Sequence, residues 1–287
     1  MKQIFSALFV LFFGVANAQP FIDLANLRYT KSPDAGIIRR NNRPNQYDYF
    51  NITFGLPVIF KKDSSAIVFS PLAEQWNLTL DNESYLPQHL QSLALQTAYI
   101  KPLSQKWSMT FGIIPRWNGY GGKWFADNFQ LGGFLLATFK KNQDLKYKFG
   151  VYYNSEFSGP FIIPLLGIDW KVNDKNRVFG VLPGNLVWEH KAGKNMYYGA
   201  VFRAITNSYQ AGELNGRGYF VRIDDNQLAL YSDIYLTKHI VFNMEAGHSI
   251  FRQVRMGYNN GSEKYFFKEK VNDDFIFKAA LAYRIRL

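Results

Sequence analysis

The chain has 287 residues, contains no cysteine, and carries a formal net charge of +11 at pH 7. The lack of cysteine excludes disulfide bonds, thiol nucleophiles and thiolate metal sites. Aromatic residues make up 17% of the sequence and charged residues 19%, against about 25% charged residues in an average soluble domain. The positive charge suits nucleic acid, an anionic lipid or an anionic solute as a partner.

The N-terminus predicts a secretory signal peptide over residues 1–18. One lysine, Lys2, precedes an apolar run over residues 4–15, and the small residues of Ala16-Asn17-Ala18 form a cleavage site. This run is too short for a membrane-spanning helix, which needs about 20 residues. The mature protein is therefore predicted to be one domain, residues 19–287. Because a secreted chain rarely meets nucleic acid, we expect no nucleic-acid partner and favour lipid or a small anionic solute.

In chain order, the mature sequence repeats one pattern: a segment in which every second residue is apolar, followed by a connection. Alternation at period two is the signature of a β-strand with two different faces. An early segment of this kind is "YDYFNITFGLPVIF", Tyr47–Phe60, and the last is "FIFKAALAYRIRL", Phe275–Leu287. The segments between them cover residues 93–99, 107–113, 131–139, 147–153, 166–172, 196–202, 228–236 and 240–246.

The connections alternate between short polar turns, such as "KKDSS" and "KKNQD", and longer stretches. Short turns at one end and long loops at the other are typical of an outer-membrane β-barrel. We predict an all-β fold, a transmembrane antiparallel up-and-down β-barrel of about 14 strands. About 12 strands is the alternative, because the pair around 177–191 is short, and "GYFVRI" (218–223) could add a strand outside the membrane. The predicted long loops are 31–46, 81–89, 118–128, 157–163, 207–226 and 257–272.

The class of protein depends on which solvent meets the apolar face of these strands. In the last segment Lys278, Arg284 and Arg286 share the opposite face, and Lys or Arg facing lipid costs about 2–4 kcal/mol at the bilayer midplane. We therefore place the charged face in the lumen and the apolar face in lipid. A soluble lipocalin-like barrel, with the faces reversed, is the competing interpretation. Aromatic residues next to the short turns predict a periplasmic girdle of Phe60, Tyr99, Trp107, Phe139, Tyr147, Trp170, Tyr198 and Tyr283.

Four stretches carry a resemblance to known proteins: "FGLPVIF", "WSMTFGIIPRWNG", "GIDWKVNDKNRVFGVLPGN" and the closing strand. The mature chain resembles a family of uncharacterised outer-membrane β-barrel proteins of the Bacteroidetes type, catalogued as a domain of unknown function. This resemblance implies the fold and a location in the Gram-negative outer membrane, and it implies no activity. The closing strand also resembles the signal by which the barrel-assembly machinery recognises its substrates, although Leu287 stands where that signal has an aromatic residue. An even number of strands places both termini in the periplasm.

No catalytic, cofactor or metal site is predicted, and we expect no enzyme. An enzyme at the outer rim, acting on lipid or lipopolysaccharide, is an alternative that would have to use His248 and Ser249. Neighbouring residues of a strand point to opposite faces, so that one of these side chains is expected to meet lipid and the other the lumen.

The lumen is the predicted functional surface. The leading hypothesis is a passive channel, or a structural or solute-binding barrel, with a mixed-charge and slightly cationic lumen. Adhesion or assembly through the loops 31–46, 207–226 and 257–272 is a further alternative. The expected partners are outer-membrane lipid and lipopolysaccharide, the barrel-assembly machinery during biogenesis, and a small anionic solute. The candidate lumen-lining charges are Arg116, Lys148, Asp169, Lys171, Arg203, Asp233, Glu245, Lys278, Arg284 and Arg286, and Lys146, Glu156 and Glu189 share their face.

Overall fold

The computed structural model describes residues 20–33, 45–80, 87, 89–122, 126–259, 265–269 and 273–287, so the predicted signal peptide lies outside the described residues. Among these residues no helix has the length and the apolar character that crossing a bilayer requires. One short 3-10 helix covers Ala126–Asn128. The strands are β1 (Phe21–Ser32), β2 (Asn45–Phe54), β3 (Leu56–Ile59), β4 (Ala66–Leu80), β5 (His89–Pro102), β6 (Trp107–Tyr120), β7 (Phe129–Lys140), β8 (Leu145–Glu156), β9 (Gly159–Lys171), β10 (Asn176–Leu182), β11 (Asn185–Lys191), β12 (Met196–Leu214), β13 (Arg217–Tyr235), β14 (Ile240–Tyr258), β15 (Tyr265–Glu269) and β16 (Phe275–Arg286).

The strands form one closed antiparallel barrel. Strands that follow each other in sequence are paired, except β2 with β3 and β15 with β16. β16 pairs with β14 on one side and with β1 on the other, which closes the ring. β2 and β3 form one barrel strand that is interrupted at Gly55, where a Cβ atom would lie 2.6 Å from the carbonyl oxygen of Asp23. β15 pairs with the distal part of β14 and stands beside the ring. When β2 and β3 are counted as one strand and β15 is left out, the 16 strands of the described residues form a barrel of 14, which confirms the predicted strand number.

The apolar side chains face outward. Along β16 the exposed residues Phe277, Leu281 and Tyr283 alternate with the buried Lys278 and Arg284. Leu281 is 48% exposed, whereas Lys278 is 6% exposed, which is the reverse of a soluble protein. The soluble lipocalin-like interpretation is therefore wrong, and the barrel is a transmembrane barrel with a polar interior.

The predicted aromatic girdle lies on the outer surface, at the end of the barrel that carries the short turns. Six of its eight side chains are between 38% and 43% exposed, and the other two, Tyr99 and Phe139, are partly covered by their neighbours. Trp107 packs against Phe139 with ring centroids 4.9 Å apart. We call this end the short-turn end and the opposite end the long-loop end.

Two predicted long loops are wrong. The stretch 157–163 is a two-residue turn, because β8 ends at Glu156 and β9 begins at Gly159, whose φ of 115° permits the tight reversal. The stretch 207–226 is the distal part of the β12–β13 hairpin, and "GYFVRI" is the start of β13. The turn of this hairpin is Asn215-Gly216, with φ values of 54° and 70°, which is the left-handed pair that a tight hairpin requires. Parts of the loops 31–46, 81–89, 118–128 and 257–272 lie outside the described residues.

Candidate functional site: a lumen closed at one end

The distal part of β12 crosses the opening of the barrel at the long-loop end. β12 pairs with β11 and β13, yet it also contacts β5 and β6 on the opposite wall. At the crossing point, Asn118 donates a hydrogen bond to the carbonyl oxygen of Ser208 (2.9 Å), and Gln130 donates to its hydroxyl oxygen (2.9 Å). The Ser208 hydroxyl in turn donates to Glu156. Ser208 is thus bonded to β6, β7 and β8, and the chain closes this mouth.

The neighbours of Ser208 make a second set of bonds to Glu74 on β4. The carboxylate of Glu74 accepts hydrogen bonds from the hydroxyl of Tyr49 (2.6 Å), the hydroxyl of Tyr209 (2.9 Å) and the amide of Asn207 (3.1 Å). The indole nitrogen of Trp76 donates to the Tyr209 hydroxyl at 2.9 Å. Within the described residues Glu74 has no ion-pair partner, and the three hydrogen bonds take the place of its water.

Apolar side chains seal the closure on its distal side. They form a cluster from β2, β4, β5, β12, β13 and β14, and its central members have almost no exposed surface. The aromatic members that contact each other are Tyr49 and Trp76, with ring centroids 4.3 Å apart, and Tyr47 and Trp76, at 5.0 Å. The cluster comprises Tyr47, Tyr49, Trp76, Leu78, Leu90, Tyr209, Ala211, Tyr219, Val221, Ile223, Val254 and Met256.

Ion pairs lie below the closure. Arg252 on β14 pairs with the buried Asp225 (3.3 Å) and also bonds to Ser249. Deeper in the lumen, Arg203 donates two hydrogen bonds to Glu245, at 2.5 and 2.7 Å. The ammonium group of Lys278 lies 3.5 Å from the same carboxylate. Arginine in this two-bond geometry fixes both the position and the orientation of its partner.

At the short-turn end the last two arginines hold the strand ends together. Arg284 bonds to Asp23 on β1 (2.5 and 2.9 Å) and to Asp233 on β13 (2.5 Å). Arg286 donates two hydrogen bonds to Glu189 on β11, at 2.8 and 2.7 Å. The C-terminal strand therefore carries charges that bond to its paired neighbour β1 and, across the lumen, to β11 and β13.

The remaining wall of the short-turn half encloses an open cavity. Its volume is 610 Å³, and hydroxyl, amide and lysine side chains line it together with Asp23 and several apolar residues. The polar members include Thr53, Ser70, Gln96 and Thr110, and the lysines include Lys140. Nearby, the buried Asp169 pairs with Arg177 at 2.7 Å and lies 3.8 Å from the ammonium group of Lys146. The lumen is open to solvent here and is filled at the opposite end.

The predicted lumen charges are not all alike. Arg116 donates to Asn207 at 2.9 Å and so belongs to the closure. Lys171 is exposed at the end of β9, where its ammonium group bonds to Asp174 at 2.7 Å in the following turn, and this bond lowers the pKa of the Asp174 carboxyl. The other predicted charges are buried or partly buried among lumen side chains: Lys148, Asp169, Arg203, Asp233, Glu245, Lys278, Arg284 and Arg286.

The sequence pattern does not predict several of the charged residues that face the lumen. Asp23 and Arg28 both face inward although their spacing is odd, because the register of β1 shifts between Asp23 and Ala25. Glu74 lies on a face that also carries Trp76, so the polarity of β4 does not alternate. Arg252 follows a similar register shift in β14, where Phe251 has a φ of 56°. A bulge reverses the parity of a strand and leaves little signal in the sequence.

His248 and Ser249 lie on opposite faces of β14. His248 is on the outside, where its ring meets the edge of Phe275 with centroids 5.3 Å apart. The hydroxyl of Ser249 is buried in the lumen and is bonded to Arg252. The two side chains do not form a nucleophile–base pair, so this geometry gives no support to a rim enzyme.

The fold and its interior define a transmembrane β-barrel with a polar lumen that is closed at one end. The chain belongs to the family described as a domain of unknown function, DUF6268, whose model matches residues 61–287. No curated protein matches the sequence.

Solved structures with a similar fold share little sequence with the chain. The NanC porin has a TM-score of 0.43 and 8% identity, with 91% of this chain and 100% of that chain covered. LpxR from Salmonella typhimurium has a TM-score of 0.36 and 8% identity, with 90% and 99% covered. The Pseudomonas putida toluene transporter TodX has a TM-score of 0.32 and 9% identity, with 91% and 88% covered.

Proposed function

We propose that this protein is a gated channel of the Gram-negative outer membrane that admits small polar solutes. In this proposal the short turns and both termini face the periplasm. The cavity of 610 Å³ is the periplasmic vestibule, and the distal part of the β12–β13 hairpin is the gate on the outer side. The protein acts as a passive conductor and not as an enzyme.

The observation that carries the proposal is the unequal filling of the lumen. One half surrounds open space. Hydroxyl, amide and lysine side chains line it together with Asp23 and several apolar residues, and its polar groups suit a water-filled path. The other half is closed by one hairpin, whose bonds to the far wall are side-chain hydrogen bonds and not strand pairing. The hairpin is also paired with the distal part of β14, so the two would move together, and the rest of the 14-stranded ring does not depend on this distal unit.

Removal of the gate tests the proposal. Thr206 pairs with Asp224, so replacing residues 207–223 by Asn-Gly leaves a two-residue turn in the existing register and deletes the closure. We expect this variant to give current steps in planar bilayers that the full-length protein lacks or shows only rarely.

A matched control shortens the same hairpin and keeps the closure. Gly212 pairs with Tyr219, so replacing residues 213–218 by Asn-Gly removes the tip but retains Asn207, Ser208 and Tyr209. This variant is expected to conduct like the full-length protein. If the variant without the gate conducts no better than the control, the channel proposal is wrong.

A further inference from the structure

The middle of the lumen contains more positive charge than its carboxylate neutralises. Arg28 on β1, Arg203 on β12 and Lys278 on β16 surround Glu245 on β14, and we call these four residues the central charge layer. Three cations and one carboxylate give the layer a net charge of +2. Each of the four groups acts electrostatically on the others.

Three other carboxylates lie in this part of the barrel. Glu74, which is in register with Arg28 through Asn51, accepts its hydrogen bonds from the closure, and Asp23 and Asp225 are bonded to arginines outside the layer. Asp23 accepts two hydrogen bonds from Arg284. Asp225 is paired with Arg252 and also accepts hydrogen bonds from Tyr47 and a glutamine. Within the described residues neither Asp23 nor Asp225 forms an ion pair with Arg28, although Arg284 is shared between Asp23 and Asp233.

Arg28 is the member of the layer without a carboxylate of its own. Within the described part of the chain, no carboxylate forms an ion pair with it, and its Nε atom is shielded from solvent and has no hydrogen-bond partner. Its outward neighbours Leu27 and Tyr29 face lipid, so the guanidinium lies in the lumen. A partly buried charge without an ion-pair partner is unfavourable, and an anion bound beside it would offset that cost.

The lining of the open cavity ends close to this layer. Thr53, which lines the cavity, pairs with Asn26, and the next lumen-facing pair along the same two strands is Asn51 with Arg28. Two residues of a strand span about 7 Å, so Arg28 lies one step beyond the cavity lining. Arg28 is also only partly buried, which shows that space remains beside its side chain in the lumen.

We propose that the central charge layer binds a small oxyanion, a phosphate or a carboxylate, with Arg28 as its main ligand. The guanidinium supplies paired donors that match two oxygens of such an anion, and Arg203 and Lys278 add positive charge. Because Glu245 neutralises one of the three cations, the site is expected to bind anions of low charge. The inference rests on the proposed function in one respect, because the anion reaches the site through the vestibule.

Calorimetric titration of the detergent-solubilised barrel with inorganic phosphate, and separately with acetate, tests the site at constant ionic strength. We expect saturable binding of phosphate, and Arg28→Met should weaken it by about 10- to 100-fold, as the loss of charge-assisted hydrogen bonds does. Acetate tells whether a single carboxylate is sufficient. Binding of neither anion by the native chain, or equal binding by Arg28→Met, would overturn the proposal.

Two further variants separate a specific site from general attraction. Lys171→Met removes a cation outside the lumen and should bind phosphate like the native chain. Arg28→Lys keeps the charge but not the paired donors, so it should fold even if Arg28→Met does not, and its affinity should be intermediate. A phosphate affinity for Arg28→Lys equal to that of the native chain would contradict the role of the guanidinium.

The two proposals fail separately. Conductance by the gate-deleted variant without phosphate binding by the native chain would overturn the anion site and leave the channel. Phosphate binding that depends on Arg28, in a barrel that conducts in neither form, would overturn the channel and leave the site.

Discussion

The outward orientation of the apolar face predicts a large cost for one substitution, Ala279→Arg. Ala279 lies on the outer face of β16, four residues from the girdle residue Tyr283. Four residues span about 13 Å along a strand, and a tilt of about 40° reduces this to about 10 Å along the bilayer normal. The apolar band is about 25 Å tall, so Ala279 lies near its middle.

An arginine at this depth should reduce the free energy of unfolding by about 2–4 kcal/mol, a factor of roughly 30 to 900 in the folding equilibrium. The matched control is Val172→Arg, which adds the same side chain on an exposed position beyond the girdle residue Trp170 and should cost about 0–1 kcal/mol. Guanidinium-induced unfolding in phospholipid vesicles measures both. If the two variants are equally stable, water and not lipid surrounds this surface, and the reasoning fails.

Three other substitutions test the lumen, the orientation and a turn. Glu245→Gln leaves two buried cations without their carboxylate, so the free energy of unfolding should fall by about 3 kcal/mol, and an unchanged unfolding midpoint would contradict the ion pairs. Lys62→Cys, in a chain without other cysteines, should react with an impermeant thiol reagent only after the outer membrane is permeabilised; labelling of intact cells would reverse the topology. The Ser65 hydroxyl and amide hold the pKa of the exposed Asp63 carboxyl below its ordinary value, so Ser65→Ala should raise that pKa in an NMR titration. This carboxyl therefore favours the folded turn above its ordinary pKa, and the effect is lost as the pH falls.

The sequence alone determined which face of each regular strand meets lipid. A side chain of a strand returns to the same face every second residue, so the run from Phe275 to Leu287 specifies its outer row and its inner charges without knowledge of any partner strand. The position of the girdle and the number of barrel strands follow from the same period combined with the polar turns.

Where a strand is irregular, the period gives the wrong face or none. The register shift after Asp23 reverses the parity of β1, which is why Arg28 cannot be placed in the lumen by counting from the strand end. In β4, Glu74 and Trp76 are two residues apart and therefore lie on the same inward face. Both side chains bond to the closure, so this face carries a charged and an aromatic residue together, and the sequence shows no simple alternation of polar and apolar residues.

The closed mouth is a property of the tertiary structure alone. Ser208 bonds to residues 90, 78 and 52 positions away in the sequence, on strands that lie across the barrel. Whether a long hairpin stands away from the membrane or folds into the opening depends on the shape and polarity of the far wall. The alternation of apolar and polar residues indicates whether a face meets lipid or the lumen. It gives no information about the distant strand to which a polar side chain will bond.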